Sequence, residues 1–183
     1  SIDDLKETGA NYVAIAPFWY QDNKTSTRIY PRDSKTATND SIRAAIRYAK
    51  SKGFKVALKP MVDSRDNTWR GQFEPPDSNA WFQSYHDFII NFAQLAKDEG
   101  VDYLIIGTEF TTLSVPQYSQ KWRDIVRDIR AVYSGSLTYA ANWGKRTDGE
   151  YYKIDWWDAL DAIGIDAYFP VATDGNPTVS SVE

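Results

Sequence analysis

Five short stretches carry side chains able to do chemistry, and each stands at the end of an apolar run. Pro17-Phe18-Trp19-Tyr20-Gln21 follows YVAIA, Lys59-Pro60-Met61-Val62-Asp63 closes KVALK, and Gly107-Thr108-Glu109 follows YLII. Asn142-Trp143 closes LTYAA, and Asp166-Ala167-Tyr168-Phe169-Pro170 closes AIGIDA. Carboxylates, a lysine, an asparagine and several aromatic rings suit a sugar. Rings stack on the C–H faces of pyranoses, while amides and carboxylates take the hydroxyls. Two carboxylates flanking a scissile bond are the usual machinery of glycoside hydrolysis. Glu109 is the best acid/base candidate because it directly ends a fully apolar run. Partial burial at such a place can raise a carboxyl pKa towards the value a general acid needs.

The other residues have two readings each. Trp19, Trp69 and Trp143 lie on the same side and are candidates for stacking, with Tyr20 beside them. Lys59 and Asp63 either pair with each other or meet substrate. Arg70 either holds the Trp69 loop through a carboxylate or meets the ligand. Asn142 either meets substrate or satisfies a loop backbone, and Asp166 either orients its polar neighbours or touches the sugar. Tyr168 faces either substrate or core. His86, inside an amphipathic segment, is a surface or packing residue.

These stretches need elements that bring them to one place. Ile42, Ala45, Ile46 and Ala49 fall at helical spacing, with Thr38 to Asp40 as N-caps and Gly53 as terminator. A second helical face carries Trp81, Tyr85, Phe88, Phe92 and Leu95 between Asp77 and Gly100. A third carries Trp122, Ile125, Val126, Ile129 and Val132 before Gly135. Strands with almost no polar alternation, separated by helices, predict a parallel sheet covered on both sides. No GxGxxG or P-loop follows the first strand, which removes the usual signal of a nucleotide-binding open sheet. A (β/α)8 TIM barrel remains, in which every strand end above converges on one mouth.

Composition narrows the chemistry further. The 183 residues carry a net charge of −4 from 21 basic and 25 acidic side chains, with no basic stripe for a nucleic-acid backbone. No apolar run approaches the roughly 18 residues of a membrane span. The absence of cysteine excludes disulfides, thiol catalysis and zinc–thiolate sites, and a single histidine argues against His-rich metal sites and Ser-His-Asp chemistry. Aromatics make up 15% of the chain, seven of them tryptophan, which is rich for this size.

Several motifs together resemble glycoside hydrolase family 113, the β-1,4-mannanase family among the retaining barrels. They are Ala10 to Ile15 with Trp19-Tyr20-Gln21, Leu58-Lys59-Pro60 with Asp63, Trp69-Arg70-Gly71, Gly107-Thr108-Glu109, Thr138 to Trp143, and Gly164 to Pro170. The resemblance implies a (β/α)8 barrel, β-mannan or manno-oligosaccharide as substrate, retention of configuration, and no cofactor or metal. Its acid/base Glu closes the fourth barrel strand, where Glu109 stands. Its nucleophile is a Glu at the end of the seventh strand. By this match the chain carries barrel strands two to six, lacks the first strand and strands seven and eight, and meets the nucleophile only beyond residue 183. Glu183 itself lies in a Ser/Thr/Val stretch and is not assigned that role. Family members often carry His between the Pro and the Asp of the third-strand motif; Met61 lies in that region here.

Two other functions compete with hydrolysis. A related barrel domain of phage-tail and gene-transfer-agent proteins shares several of these motifs, so a non-catalytic carbohydrate-binding or structural domain is one. Mg²⁺-dependent enolate chemistry at Lys59, Asp63, Glu109 and Asp166 is the other, but it needs carboxylates on three neighbouring strands, and the intervening strand offers Asn142. The expected behaviour of residues 1–183 alone is negligible hydrolysis.

Overall fold

The structure is a computed structural model that describes residues 1–144, 146–170 and 178; Glu183 lies outside the described residues. After a six-residue helix, α1 (Ile2–Glu7), strands and helices alternate as β1 (Tyr12–Ile15), β2 (Phe18–Gln21), α2 (Asn39–Ser51), β3 (Lys55–Leu58), β4 (Met61–Ser64) and α3 (Ser78–Asp98). They continue as β5 (Tyr103–Thr108), α4 (Ser119–Val132), β6 (Ser136–Asn142), the short α5 (Glu150–Lys153) and β7 (Gly164–Asp166).

Local chemistry sets the helix ends. The Thr38 hydroxyl accepts the Ser41 N–H at the start of α2, and the Asp77 carboxylate accepts the Ala80 N–H at the start of α3. Gly53 and Gly100, at φ 84° and 58°, take the left-handed turn that ends each helix and feeds the next strand. Helix α4 ends differently: Tyr133 goes extended at φ −124°, and Gly135 keeps out of the left-handed region.

All strand pairs are parallel, in the order β1-β3-β5-β6-β7, with β2-β4 forming a second pair. That second pair continues the first. Tyr12 stands opposite Lys55 and Phe18 opposite Met61, one unbroken register that sets Pro17 opposite Pro60. Pro17 has no N–H to give the ladder, so the strands are interrupted there. They resume because Lys59 and Met61 still donate to the Ile15 and Pro17 carbonyls, both at 2.8 Å.

The core lies between the sheet and the helices. Val56, Leu58, Leu104, Ile106, Leu137, Tyr139 and Ala141 are buried against it, with Ile46, Phe88, Phe92, Trp122 and Ile129 from the helices. Aromatic stacks run through this layer: Trp81 on Tyr85 and Trp122 on Trp156, each at 4.9 Å. The expectation of a sheet covered on both sides is corrected. The alternate residues Tyr12, Ala14, Lys55, Ala57, Tyr103, Ile105 and Thr138 are exposed or half-buried, so the helices cover one face only. The sheet is curled into a half-barrel. Lys59 follows β3 and Asp166 ends β7, three strands apart, or about 14 Å in a flat sheet. Their side chains nevertheless meet at 2.7 Å across the concave face.

Candidate active site

The end of β5 is the most constrained point of the mouth. The β5–β6 register shifts between Ile105 and Thr108, and Glu109 follows at φ 52°. A left-handed backbone at a non-glycine residue is strained and persists where neighbours fix it. Here the Glu109 N–H donates to the Ala140 carbonyl at 2.9 Å, and the Phe110 N–H donates to the Tyr139 hydroxyl at 2.7 Å. The residue is 9% exposed. Its Oε2 accepts from the Trp69 indole Nε1 at 3.2 Å and from Arg70 Nη1 at 3.4 Å. No described residue donates to Oε1.

The Trp69-Arg70-Gly71 turn exists to make those contacts. A Cβ at position 71 would lie 2.4 Å from the Trp69 ring, so glycine is what lets the indole fold over and point Nε1 at Glu109. Arg70 is held by three acceptors: the Val62 carbonyl at 3.2 Å, the Asp63 carboxylate and Glu109. One guanidinium thus bridges carboxylates from two strand ends, a geometry its planar fork permits and an ammonium does not. Trp69, 42% exposed, keeps part of its surface towards solvent.

Beside this cluster, both oxygens of Asp166 accept from Lys59 Nζ, at 2.7 and 2.8 Å. Asn142 stands opposite Asp166 in the β6–β7 register. Its N–H donates at 2.6 Å to Oε2 of Glu150, a carboxylate only 1% exposed, whose Oε1 accepts from the Tyr139 hydroxyl at 2.6 Å. Burial raises the Glu150 carboxyl above its ordinary range, outweighing those two hydrogen bonds, and burial likewise pushes the Tyr139 hydroxyl well above 10. Trp143, half-buried, meets Phe169 edge-on at 6.1 Å.

The structure therefore gathers Glu109, Trp69, Arg70 and Asp63 in one cluster, and Lys59, Asp166 and Asn142 in another. The Lys59–Asp63 pairing does not form. Four residues of extended chain separate them by about 13 Å; Lys59 pairs with Asp166 across the mouth, and Asp63 with Arg70 of the turn that follows its strand. Arg70 holds the Trp69 loop through a carboxylate, that of Asp63, and reaches Glu109 as well. Three side chains lie elsewhere. Trp19 turns to the helix layer, packing on Phe88 and Phe92 at 5.4 and 6.1 Å. Tyr20 lies under the Arg32 guanidinium at 5.1 Å, and Tyr168, 73% exposed, meets Asp166 through its backbone, its N–H donating to the Asp166 carbonyl at 3.0 Å.

Sequence reasoning missed Glu150 and the Tyr139 hydroxyl. Tyr139 reads as one more apolar residue of LTYAA, and Glu150 stands eight residues beyond the strand end without a motif. No group of three or more His, Cys, Asp or Glu side chains able to hold a metal occurs among the described residues. The carboxylates at the mouth are occupied by Lys59 and Arg70. No described helix is long and apolar enough to cross a membrane.

Comparison with known proteins agrees with this geometry. The family model of Glycoside Hydrolase Family 113 matches residues 1–182. A solved GH113 β-mannanase from Alicyclobacillus acidocaldarius in complex with ManMIm is 30% identical, with a TM-score of 0.86 over 93% of this chain and 55% of its own. A complex structure of a GH113 β-1,4-mannanase is likewise 30% identical, with a TM-score of 0.85 over 93% of this chain and 56% of its own. The chain thus spans about half the length of these relatives. The Ignisphaera aggregans GH53 catalytic domain shares the fold, at a TM-score of 0.55 and 17% identity, over 90% of this chain and 50% of its own. No curated protein matches. By its sequence and its half-barrel, the chain belongs to glycoside hydrolase family 113.

Proposed function

We propose that this chain supplies barrel strands two to six of a retaining hydrolase of β-1,4-mannosidic linkages, with Glu109 as its acid/base. The observation that carries this reading is the asymmetric setting of Glu109. Trp69 and Arg70 both hold Oε2, and no described residue donates to Oε1, which is the oxygen proposed to face a glycosidic oxygen. A general acid has to present one oxygen to the leaving group and be fixed by the other.

In the first step the Glu109 proton passes from Oε1 to the leaving oxygen as the C–O bond breaks. A second carboxylate, about 5–5.5 Å across the site, attacks the anomeric carbon and forms the glycosyl-enzyme. That nucleophile is proposed to lie in sequence beyond residue 183. In the second step Glu109, now ionised, takes a proton from water as the water attacks the anomeric carbon and releases the nucleophile. Arg70 serves both steps by holding Oε2 while the charge on the carboxyl changes. Asn142, Lys59 and Asp166 line the same mouth and are proposed to take sugar hydroxyls, and Trp69 and Trp143 to offer ring faces. The substrate class follows the two GH113 β-mannanases with which the chain shares 30% identity.

Proton NMR of β-mannan hydrolysis by the full-length protein tests the reading. The first sugar ends released carry the β configuration if two displacements occur. Immediate appearance of the α anomer, or no hydrolysis at all, would contradict it.

A further inference from the structure

We propose that Glu150 is a positioning residue that sets both Glu109 and Asn142, through the Tyr139 hydroxyl on one side and the Asn142 N–H on the other; this rests on the reading of Glu109 as the acid/base. Glu150 lies outside every motif discussed above, yet it is among the most deeply buried charged side chains described. Burying a carboxylate is costly unless it is hydrogen-bonded, and no described cation pairs with this one. Both of its oxygens are committed to the machinery of the mouth, Oε1 to Tyr139 and Oε2 to Asn142.

The chain of contacts has a direction. Tyr139 Oη accepts the Phe110 N–H at 2.7 Å and donates its own hydrogen to Glu150 Oε1 at 2.6 Å. Phe110 follows Glu109, whose own N–H is held by Ala140. The left-handed Glu109 residue is therefore pinned on both sides, and the second pin is a hydroxyl that Glu150 orients. Without the Glu150 acceptor, the Tyr139 hydrogen is free to turn towards the Phe110 side, and the pin loosens. At the same time Asn142 loses the acceptor of its N–H. One carboxylate thus fixes the acid/base and a sugar contact from adjacent strand ends, which is the supporting geometry a reacting group needs. Glu150 itself has no open path to substrate, so its effect passes through the groups it holds.

The test compares Glu150→Ala, Glu150→Gln, Tyr139→Phe and Glu109→Gln in the full-length protein. The probes are β-mannan and a dinitrophenyl β-mannoside, whose leaving group departs without protonation. Glu150→Ala and Tyr139→Phe are expected to slow β-mannan hydrolysis by on the order of 10², while slowing the burst of dinitrophenol that marks glycosyl-enzyme formation far less, within about threefold for Tyr139→Phe, which leaves the Asn142 contact in place, because that step needs no proton from Glu109. Glu150→Gln is expected to recover part of the loss, since its single carbonyl oxygen can accept from Tyr139 or from Asn142 but not from both. Equal losses in β-mannan hydrolysis and in the burst would overturn the inference, as would a Glu150→Gln protein as slow as Glu150→Ala. Should Glu150→Ala fail to fold, Tyr139→Phe breaks the same link and its ratio decides. A fast Glu109→Gln protein would overturn the reading of Glu109 itself; a slow one, with unselective Tyr139 and Glu150 variants, would overturn only the positioning role.

Discussion

Replacing Gly107 by alanine adds a single methyl group behind Glu109, the proposed acid/base. A Cβ at that position would lie 2.6 and 2.8 Å from two ring carbons of Tyr139 and 3.1 Å from the Trp122 ring. Tyr139 is completely buried, and its ring is backed by Trp122 and Trp156 at 5.5 and 5.2 Å, so it has no room to retreat. Overpacking of this kind costs about 1–3 kcal/mol, offset by the roughly 0.5–1 kcal/mol that alanine gains over glycine in a strand. The net loss is about 1–2 kcal/mol, which lowers the melting temperature by roughly 2–8 °C. The functional effect should exceed the thermal one, because the displaced ring carries the hydroxyl that pins Phe110. Thermal unfolding followed by circular dichroism, with β-mannan rates measured well below the transition, reads both. A Gly107→Ala protein that melts at or above the parent temperature and keeps its rate would refute this packing argument.

Further outcomes follow from the same contacts. Trp122→Ala removes the ring stacked on Trp156 and packed on Phe82, Tyr85 and Tyr139, and should cost about 3–5 kcal/mol in urea unfolding. A double-mutant cycle on Lys59→Met and Asp166→Asn should show a coupling of about 1–3 kcal/mol, whereas additive losses would mean that the two groups do not meet. Burial raises the Glu150 carboxyl, so the folded protein holds that proton more tightly than the unfolded chain. That stabilising contribution is complete below the ordinary glutamate value of 4.5 and is lost as pH rises through the raised one. Glu150→Gln lacks this loss, so its stability relative to the parent should increase with pH across that window. A difference flat in pH would show that Glu150 titrates normally.

The barrel was readable because its signals are local. Helical spacing at Ile42, Ile46 and Ala49, caps at Thr38 and Asp77, and terminators at Gly53 and Gly100 each act within a few residues. Glu109 was legible for the same reason, as a carboxylate at the end of an apolar strand. Partner choice was not legible. Lys59 joins Asp166 rather than Asp63 because the sheet curls, and curvature is a property of many strands together. Trp19 reads as a mouth residue from its position, but alternation along β2 sends it to α3 instead. Glu150 left no trace because its importance lies in whom it meets: a tyrosine hydroxyl that sequence patterning counts as core, and a backbone N–H that sequence cannot display.

The decisive measurement is the hydrolysis of β-mannan and of a dinitrophenyl β-mannoside by the full-length Glu109→Gln protein. The amide has no proton to give, so the β-mannan rate should fall by about 10²–10⁴ with binding largely retained, while formation of the glycosyl-enzyme from the aryl substrate continues. Parent-like turnover of β-mannan by that variant would contradict the assignment of Glu109 as the acid.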